Sequence, residues 1–354
     1  PKNARPNPNS APPFRKRTEA MNAHNSAALA VSRKVASLRA LHVETERDLM
    51  VRDHLGRLLQ RDDMGEFTPH PVRFTAKLES RGLILIEPAG GGKTTAIQRV
   101  LETFPALGIN PDTGAPRAIR MEVRSPATQR SIAQSLLREL GLMRVNSRAT
   151  VSDLFDLIRN QIVVNGTTLI WIDEAHDLFM SRSSREIDDM LKMIKGLMKG
   201  DSAVIVILSG TERLAELTSY DPQVSRRFTK IIPSDLEIGV DNAGLAEMIS
   251  GYCDAVGMTF DPADSLVSRL IHGSRKRFGR AVETVINAIE QALMADEVVL
   301  DRHHFADAWG MQEGCAYDQN VFVAPDWSSI ELDKSAEGFE DARTVRQRRQ
   351  LEKD

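Results

Sequence analysis

Glu87-Pro88-Ala89-Gly90-Gly91-Gly92-Lys93-Thr94 decides how this chain is read. It follows the apolar run at residues 82–86 and precedes a helix-like stretch at 95–104. A glycine-rich turn at a helix N-terminus aims backbone N–H groups at phosphate oxygens, and the helix dipole favours the same anion. Gly90, Gly91 and Gly92 permit close approach, Lys93 can reach β- and γ-phosphates, and the Thr94 hydroxyl can coordinate Mg2+, with Thr95 next in the same turn. The usual pattern begins with glycine where this chain has Glu87, so the match is one position short. Without a nucleotide, the same stretch is a plain strand-to-helix turn.

Downstream, Thr168-Leu169-Ile170-Trp171-Ile172-Asp173-Glu174 is an apolar strand ending in two carboxylates. At a strand's C-terminal edge, Asp173 can hold the hydration shell of Mg2+ and Glu174 can polarise an attacking water. An isolated Asp-Glu is also a common helix start, favoured by the helix dipole. The order of the two motifs argues for a nucleotide. A third run, Val204-Ile205-Val206-Ile207-Leu208-Ser209-Gly210-Thr211, ends in hydroxyls. Ser209 or Thr211 can bond a γ-phosphate or the water, or Thr211 can simply cap the next helix. Both readings stand. In Gln223-Val224-Ser225-Arg226-Arg227-Phe228 the arginines are either surface charges or a source of charge for a neighbouring subunit's phosphoryl transfer. Phe278-Gly279-Arg280-Ala281 opens a late helix, where Arg280 is a nucleotide contact or a solvated helix start.

Between these motifs, continuous apolar runs at 82–87, 118–123, 168–172, 203–208 and 230–232 alternate with amphipathic stretches. Continuous runs indicate strands buried on both faces, as in a parallel sheet covered by helices. Beyond residue 241 the pattern turns helical, at 241–256, 263–272, 279–295 and 302–310. Residues 1–40 hold eight basic side chains and one acid, so 1–25 reads as a disordered basic arm. The remaining boundaries are a nucleotide-binding domain at 26–235 with a helical lead-in, a helical lid at 236–312, and a polar, loosely ordered extension at 313–354.

This ordered set of motifs resembles the AAA+ ATPase module, over roughly residues 40–310. In family terms they look like Walker A, Walker B, sensor 1 at Ser209 and Thr211, an arginine finger at Arg226 or Arg227, and sensor 2 at Arg280. Of the two arginines, Arg227 is favoured because it adjoins Phe228. The resemblance implies an α/β fold, an αβα sandwich with a five-stranded parallel sheet plus a C-terminal helical lid. It also implies ATP and Mg2+ at subunit interfaces of a ring or helical filament, a homo-oligomer.

A narrower resemblance rests on Arg124-Ser125-Pro126-Ala127-Thr128, a helix ending before Gly141-Leu142, and Gly210-Thr211-Glu212. These look like the TnsC, TniB and MuB group of DNA transposition regulators. That group implies ATP-dependent assembly on double-stranded DNA, a transposase as partner, and a target-selection adaptor. Its DNA-facing positions correspond here to Arg124, Thr128, Arg130, Arg182 and Arg185, with Lys192 and Lys195 behind them. Spaced along a groove, such residues track phosphates without reading bases; each is otherwise a solvated helix position. A protein-remodelling AAA+ ATPase is the alternative, but none of the three Tyr and three Trp sits in a pore-loop context. A clamp-loader or initiator relative calls for a further C-terminal domain, and the residues after about 312 read as too few and too polar for one.

Composition sets the outer limits. With 46 Lys+Arg against 49 Asp+Glu, DNA contacts must come from local patches rather than overall charge. The apolar runs are too short to span a bilayer. Two cysteines do not make a disulfide framework and fit a reducing cytoplasm.

Overall fold

The computed structural model describes residues 28–124, 127–179, 184–219 and 221–332. The basic arm at 1–25 and Arg182 lie outside the described residues. The chain divides into two compact units. One holds residues 44–235 with Arg277–Gly279; the other holds the described residues up to Val43, Leu236–Lys276 and Arg280–Leu332. Residues 28–43, expected as a lead-in to the nucleotide domain, thus group with the second unit.

The first unit is an αβα sandwich. Its sheet has β3 (Gly82–Ile86), β4 (Ala118–Glu122), β5 (Leu169–Asp173), β6 (Ile205–Gly210) and β7 (Phe228–Ile231), in the order β4-β5-β6-β3-β7. Every neighbouring pair is parallel. The continuous apolar runs explain why: alternate residues of one strand serve two different cores. Ile84, Ile86, Ile170, Ile172, Val206 and Leu208 face the core under α4 (Gln129–Glu139), α5 (Val151–Asn165) and α6 (Ser184–Leu197). Leu83, Leu85, Leu169, Trp171, Ile205 and Ile207 face the core under α2 (Glu46–Gly56) and α3 (Lys93–Glu102).

Local signals set the helix ends. Thr150 caps α5 by accepting from the Asp153 N–H, and Gly166 closes it at φ +66°. At the start of α2, Thr45 and Asp48 form a capping box, which breaks the helix-like stretch 26–61 into α1 (residues 28–40) and α2. After α2 the chain makes a small antiparallel pair, β1 (Leu59–Arg61) with β2 (Phe67–Pro71), which the helical periodicity hides. Short helices α7 (Arg213–Ser219) and α8 (Pro222–Ser225) lead into β7.

In the second unit α1 is joined by α9 (Asn242–Val256), α10 (Leu266–Gly273), most of α11 (Phe278–Met294) and α12 (Arg302–Glu313), with β8 (Thr259–Phe260) beside β9 (Val299–Leu300). Of the extension expected as loosely ordered, residues 333–354 lie outside the described residues, and the part up to residue 332 is packed. Val321 and Phe322 are buried, and the Phe322 ring lies 5.4 Å from Phe305 and 6.3 Å from Trp309. Arg269 donates to the carbonyls of Val321 and Ala324. A few apolar residues in a polar stretch suffice to anchor it, because each large side chain buried contributes about 1.5–3 kcal/mol. Among the described residues, no helix is long and apolar enough to cross a membrane.

Candidate nucleotide site

The phosphate loop joins β3 to α3, at the C-terminal edge of the sheet, where open parallel sheets hold ligands. Gly90 and Gly92 take φ of +81° and +110°, which L side chains rarely adopt. The loop carbonyls are occupied from the protein side. Lys93 Nζ donates to Glu87 O (2.8 Å) and Pro88 O (3.1 Å), and Arg277 Nη1 donates to Ala89 O (3.0 Å). The Gly91 carbonyl accepts from the Gly279 N–H (3.1 Å) and from Arg47. The Gly91 N–H donates to the Pro88 carbonyl (3.2 Å), and the amides that open α3 are the ones a helix N-terminus offers to an anion. Lys93 is buried, and desolvation holds its ammonium below the usual lysine range, against Glu174, Glu87, Asp173 and Glu212. Thr95, the third residue of α3, is exposed.

Asp173, 1% exposed, ends β5 beside the loop. Its Oδ2 accepts from the Thr94 hydroxyl (2.9 Å) and Arg120 Nη2 (2.7 Å). Its Oδ1 accepts from the Ser209 hydroxyl (2.6 Å) and the Glu174 N–H (3.1 Å). Ser209 in turn accepts from Trp171 Nε1 (2.7 Å). Ser209 is therefore committed to holding Asp173 rather than turned to a γ-phosphate, and Trp171 is both core and part of this chain of bonds. Thr211 stands half-buried past the end of β6.

Ser209→Ala leaves the buried Trp171 N–H and one Asp173 oxygen without this partner. The expected loss is about 1–3 kcal/mol, read by urea unfolding without nucleotide. Unchanged stability removes the bridge from the account.

The residues fit Mg2+. Thr94 and Asp173 bring a hydroxyl and a carboxylate oxygen together beside the phosphate loop, hard donors that such an ion uses alongside phosphate oxygens. Glu174 follows at φ +51°, an uncommon conformation for a residue with a side chain, and this bend turns it away from the strand direction. Its side chain is 38% exposed, with His176 Nδ1 3.2 Å from Oε2. A carboxylate that is accessible and follows directly on Asp173 suits a water-polarising base.

Sequence reading favours Arg227 as the trans arginine, and the structure separates the two arginines by burial. Arg227 is 6% exposed and ion-paired with Glu79 of its own chain. That bond, foremost, holds the Glu79 carboxyl below the usual range. The Arg226 side chain is 59% exposed, 3.4 Å from the same carboxylate. Arg280 belongs to the second unit, in the first turn of α11.

The expected DNA-facing residues separate into two groups. Arg124 is exposed and lines a cleft of about 260 Å³ at the sheet edge with Arg120, Arg138 and Ser135, among Glu122 and Glu139. Arg185 is exposed in the first turn of α6. By contrast, Thr128 caps α4, Arg130 donates to the Ala149 carbonyl (2.7 Å), and Lys195 pairs with Asp221 (2.6 Å). Lys192 pairs with Asp189 on its own helix.

Arg47 and Arg120 escape the motif reading. A positional signal exists for each. Arg47 shares a helix face with Val51 and Leu55, an odd place for a charge unless it is partnered. Arg120 sits between Ile119 and Met121 in β4 and lies 4.7 Å over the Trp171 ring.

Residues 78–218 match a protein-family profile described as an AAA domain. No curated protein matches the chain. Among solved structures, the Aeropyrum pernix ORC1 protein in complex with DNA is similar at a TM-score of 0.56 and 17% identity, over 78% of this chain and 67% of that one. The Aeropyrum pernix ORC2 protein, in ADPNP and ADP complexes, is similar at a TM-score of 0.52 and 13% identity, over 78% and 73%. At these identities the likeness is one of fold. What the chain shares with known proteins is thus an AAA domain at residues 78–218, set in an AAA+ fold of parallel sheet and helices.

Proposed function

We propose that this protein is an ATP-hydrolysing switch that assembles as a homo-oligomer on double-stranded DNA and regulates DNA transposition. ATP binding favours the assembled, DNA-bound state, which marks target DNA for a transposase; hydrolysis resets it. The observation that carries the ATPase reading is the convergence of Thr94, Asp173 and Glu174 beside the phosphate loop. Mg2+, when bound, supplies charge neutralisation between the phosphates. Lys93 swings from the loop carbonyls to the phosphates, Asp173 is held in place by Ser209 and Arg120, and Glu174 takes a proton from the attacking water. Arg226 reaches the site of the adjoining copy.

For DNA, the support is local. Arg124 and Arg138 line one cleft at the sheet edge, beside Glu122 and Glu139, and Arg185 stands exposed on α6. The transposition assignment, with a target-selection adaptor as a further partner, rests on the short motifs around Ser125-Pro126 and Gly210-Thr211-Glu212. The fold likeness to ORC1, a protein solved with DNA, favours a second reading, a DNA-loading ATPase outside transposition.

The test is double-stranded DNA binding with ATP, ADP or no nucleotide across a salt series. ATP-dependent binding is expected, with log K falling linearly against log salt by about 0.9 per phosphate neutralised. Arg124→Ala should lower that slope by about 1 while leaving sequence preference unchanged. No binding in any nucleotide state overturns the DNA reading and favours a polypeptide-remodelling ATPase.

A further inference from the structure

The phosphate loop is built on a buried ion pair at the position where the usual pattern has its leading glycine. Arg47 and Glu87 are 5% and 8% exposed. Arg47 Nη1 meets both Glu87 carboxylate oxygens, at 2.8 and 3.1 Å. The same nitrogen donates to the Gly91 carbonyl, and the guanidinium lies 5.7 Å over the Phe278 ring. Glu87 fills the space beneath the loop: a Cβ at Gly91 would fall 2.0 Å from its carboxyl carbon. A Cβ at Gly92 would fall 2.9 Å from Arg47 Nη1. Two of the three consecutive glycines, Gly91 and Gly92, are thus required by the pair beside them.

Arg47 is well anchored. It lies in the first turn of α2, behind the Thr45–Asp48 capping box (Thr45 N to Asp48 Oδ2, 2.9 Å), and one turn before Val51, which is packed in the core. Both Glu87 functions converge on the loop: its carboxylate fixes Arg47, while its backbone carbonyl receives Lys93. Burial pushes the Glu87 carboxyl above the usual range, with Arg47 and Lys93 opposing and Asp235 reinforcing that rise. Two charges this deep need each other, since breaking a buried pair leaves an uncompensated charge while replacing both is often tolerated.

We infer that Arg47 and Glu87 are the positioning pair of the phosphate loop, holding the Gly91 carbonyl away from the ligand so that the loop amides and Lys93 meet the phosphates. Neither residue touches the phosphates themselves. The inference rests on the nucleotide reading and adds to it Arg47, outside the phosphate-binding motif, and a role for Glu87 at the motif's first position.

The experiment measures the affinity of a fluorescent ADP analogue for the full chain, together with the melting temperature without nucleotide. Arg47→Lys keeps the buried charge but shortens the stem and loses the Nη2 contact to the Thr45 hydroxyl (3.4 Å) and the planar group over Phe278, so nothing holds the ammonium where Nη1 meets both the carboxylate and the Gly91 carbonyl. Its affinity is expected to fall about tenfold, the equivalent of one lost charge-assisted hydrogen bond. Arg47→Met and Glu87→Gly should each fall further, and the double variant Arg47→Met/Glu87→Gly should recover to within about threefold of the parent, as expected for coupled residues. A parent chain that fails to bind the analogue overturns the nucleotide reading and the inference with it. A parent that binds, with Arg47→Lys equal to it, overturns the inference alone. So does a double variant no better than the worse single one, or a set of variants that lower the melting temperature while keeping parental affinity.

Discussion

Arg226→Ala is expected to lower the ATPase rate of the assembled protein by about 10³-fold or more, the scale of an arginine supplied in trans to phosphoryl transfer. Affinity of an isolated subunit for nucleotide should stay unchanged, because the side chain is exposed and leaves the buried ion pair of its own chain intact. Arg227→Ala should behave differently. It removes the main partner of the Glu79 carboxylate and leaves only Arg226 at 3.4 Å among the arginines, so its main effect is a stability loss of about 1–3 kcal/mol. The decisive measurement is mixing. Arg226→Ala subunits keep Glu174, and Glu174→Gln subunits keep Arg226, so a random 1:1 mixture restores roughly a quarter of the interfaces if the arginine acts across subunits. An Arg226→Ala protein as active as the parent removes Arg226 from this role; a mixture with no recovered activity removes the trans geometry.

Glu174→Gln alone should slow hydrolysis by about 10²–10⁴-fold, the range for loss of a positioned general base. Glutamine keeps the size of the side chain and the Asp173 contact made by the backbone N–H, so nucleotide affinity should persist. The ATP-bound, DNA-bound assembly should therefore accumulate, visible as long-lived complexes in single-turnover and sedimentation measurements. An unchanged hydrolysis rate excludes Glu174 as the base. The two variants separate two defects: Glu174→Gln affects the site of the subunit that carries it, whereas Arg226→Ala affects the neighbour's.

The phosphate loop, the buried parallel strands and the paired carboxylates at 173–174 were legible because each is a local pattern. A glycine-rich turn between an apolar run and a helix, or an apolar run long enough for a strand, specifies its own conformation through sterics, hydrogen bonding and burial of contiguous residues. The late helices could be read for the same reason, from their spacing. Other features depend on residues far apart in the chain. Arg47 and Glu87 are 40 positions apart, Arg120 and Asp173 are 53 apart, and Arg227 and Glu79 are 148 apart. No local pattern says which arginine has a buried carboxylate waiting for it, and that partner separates Arg227 from Arg226. Ser209 likewise looks like a phosphate contact until the sheet places it between Trp171 and Asp173. The sequence by itself determined the sheet, the glycine-rich loop and the late helices. Tertiary structure alone decided which charged and polar side chains are committed to one another and which stay accessible, because burial and pairing are properties of the packed whole.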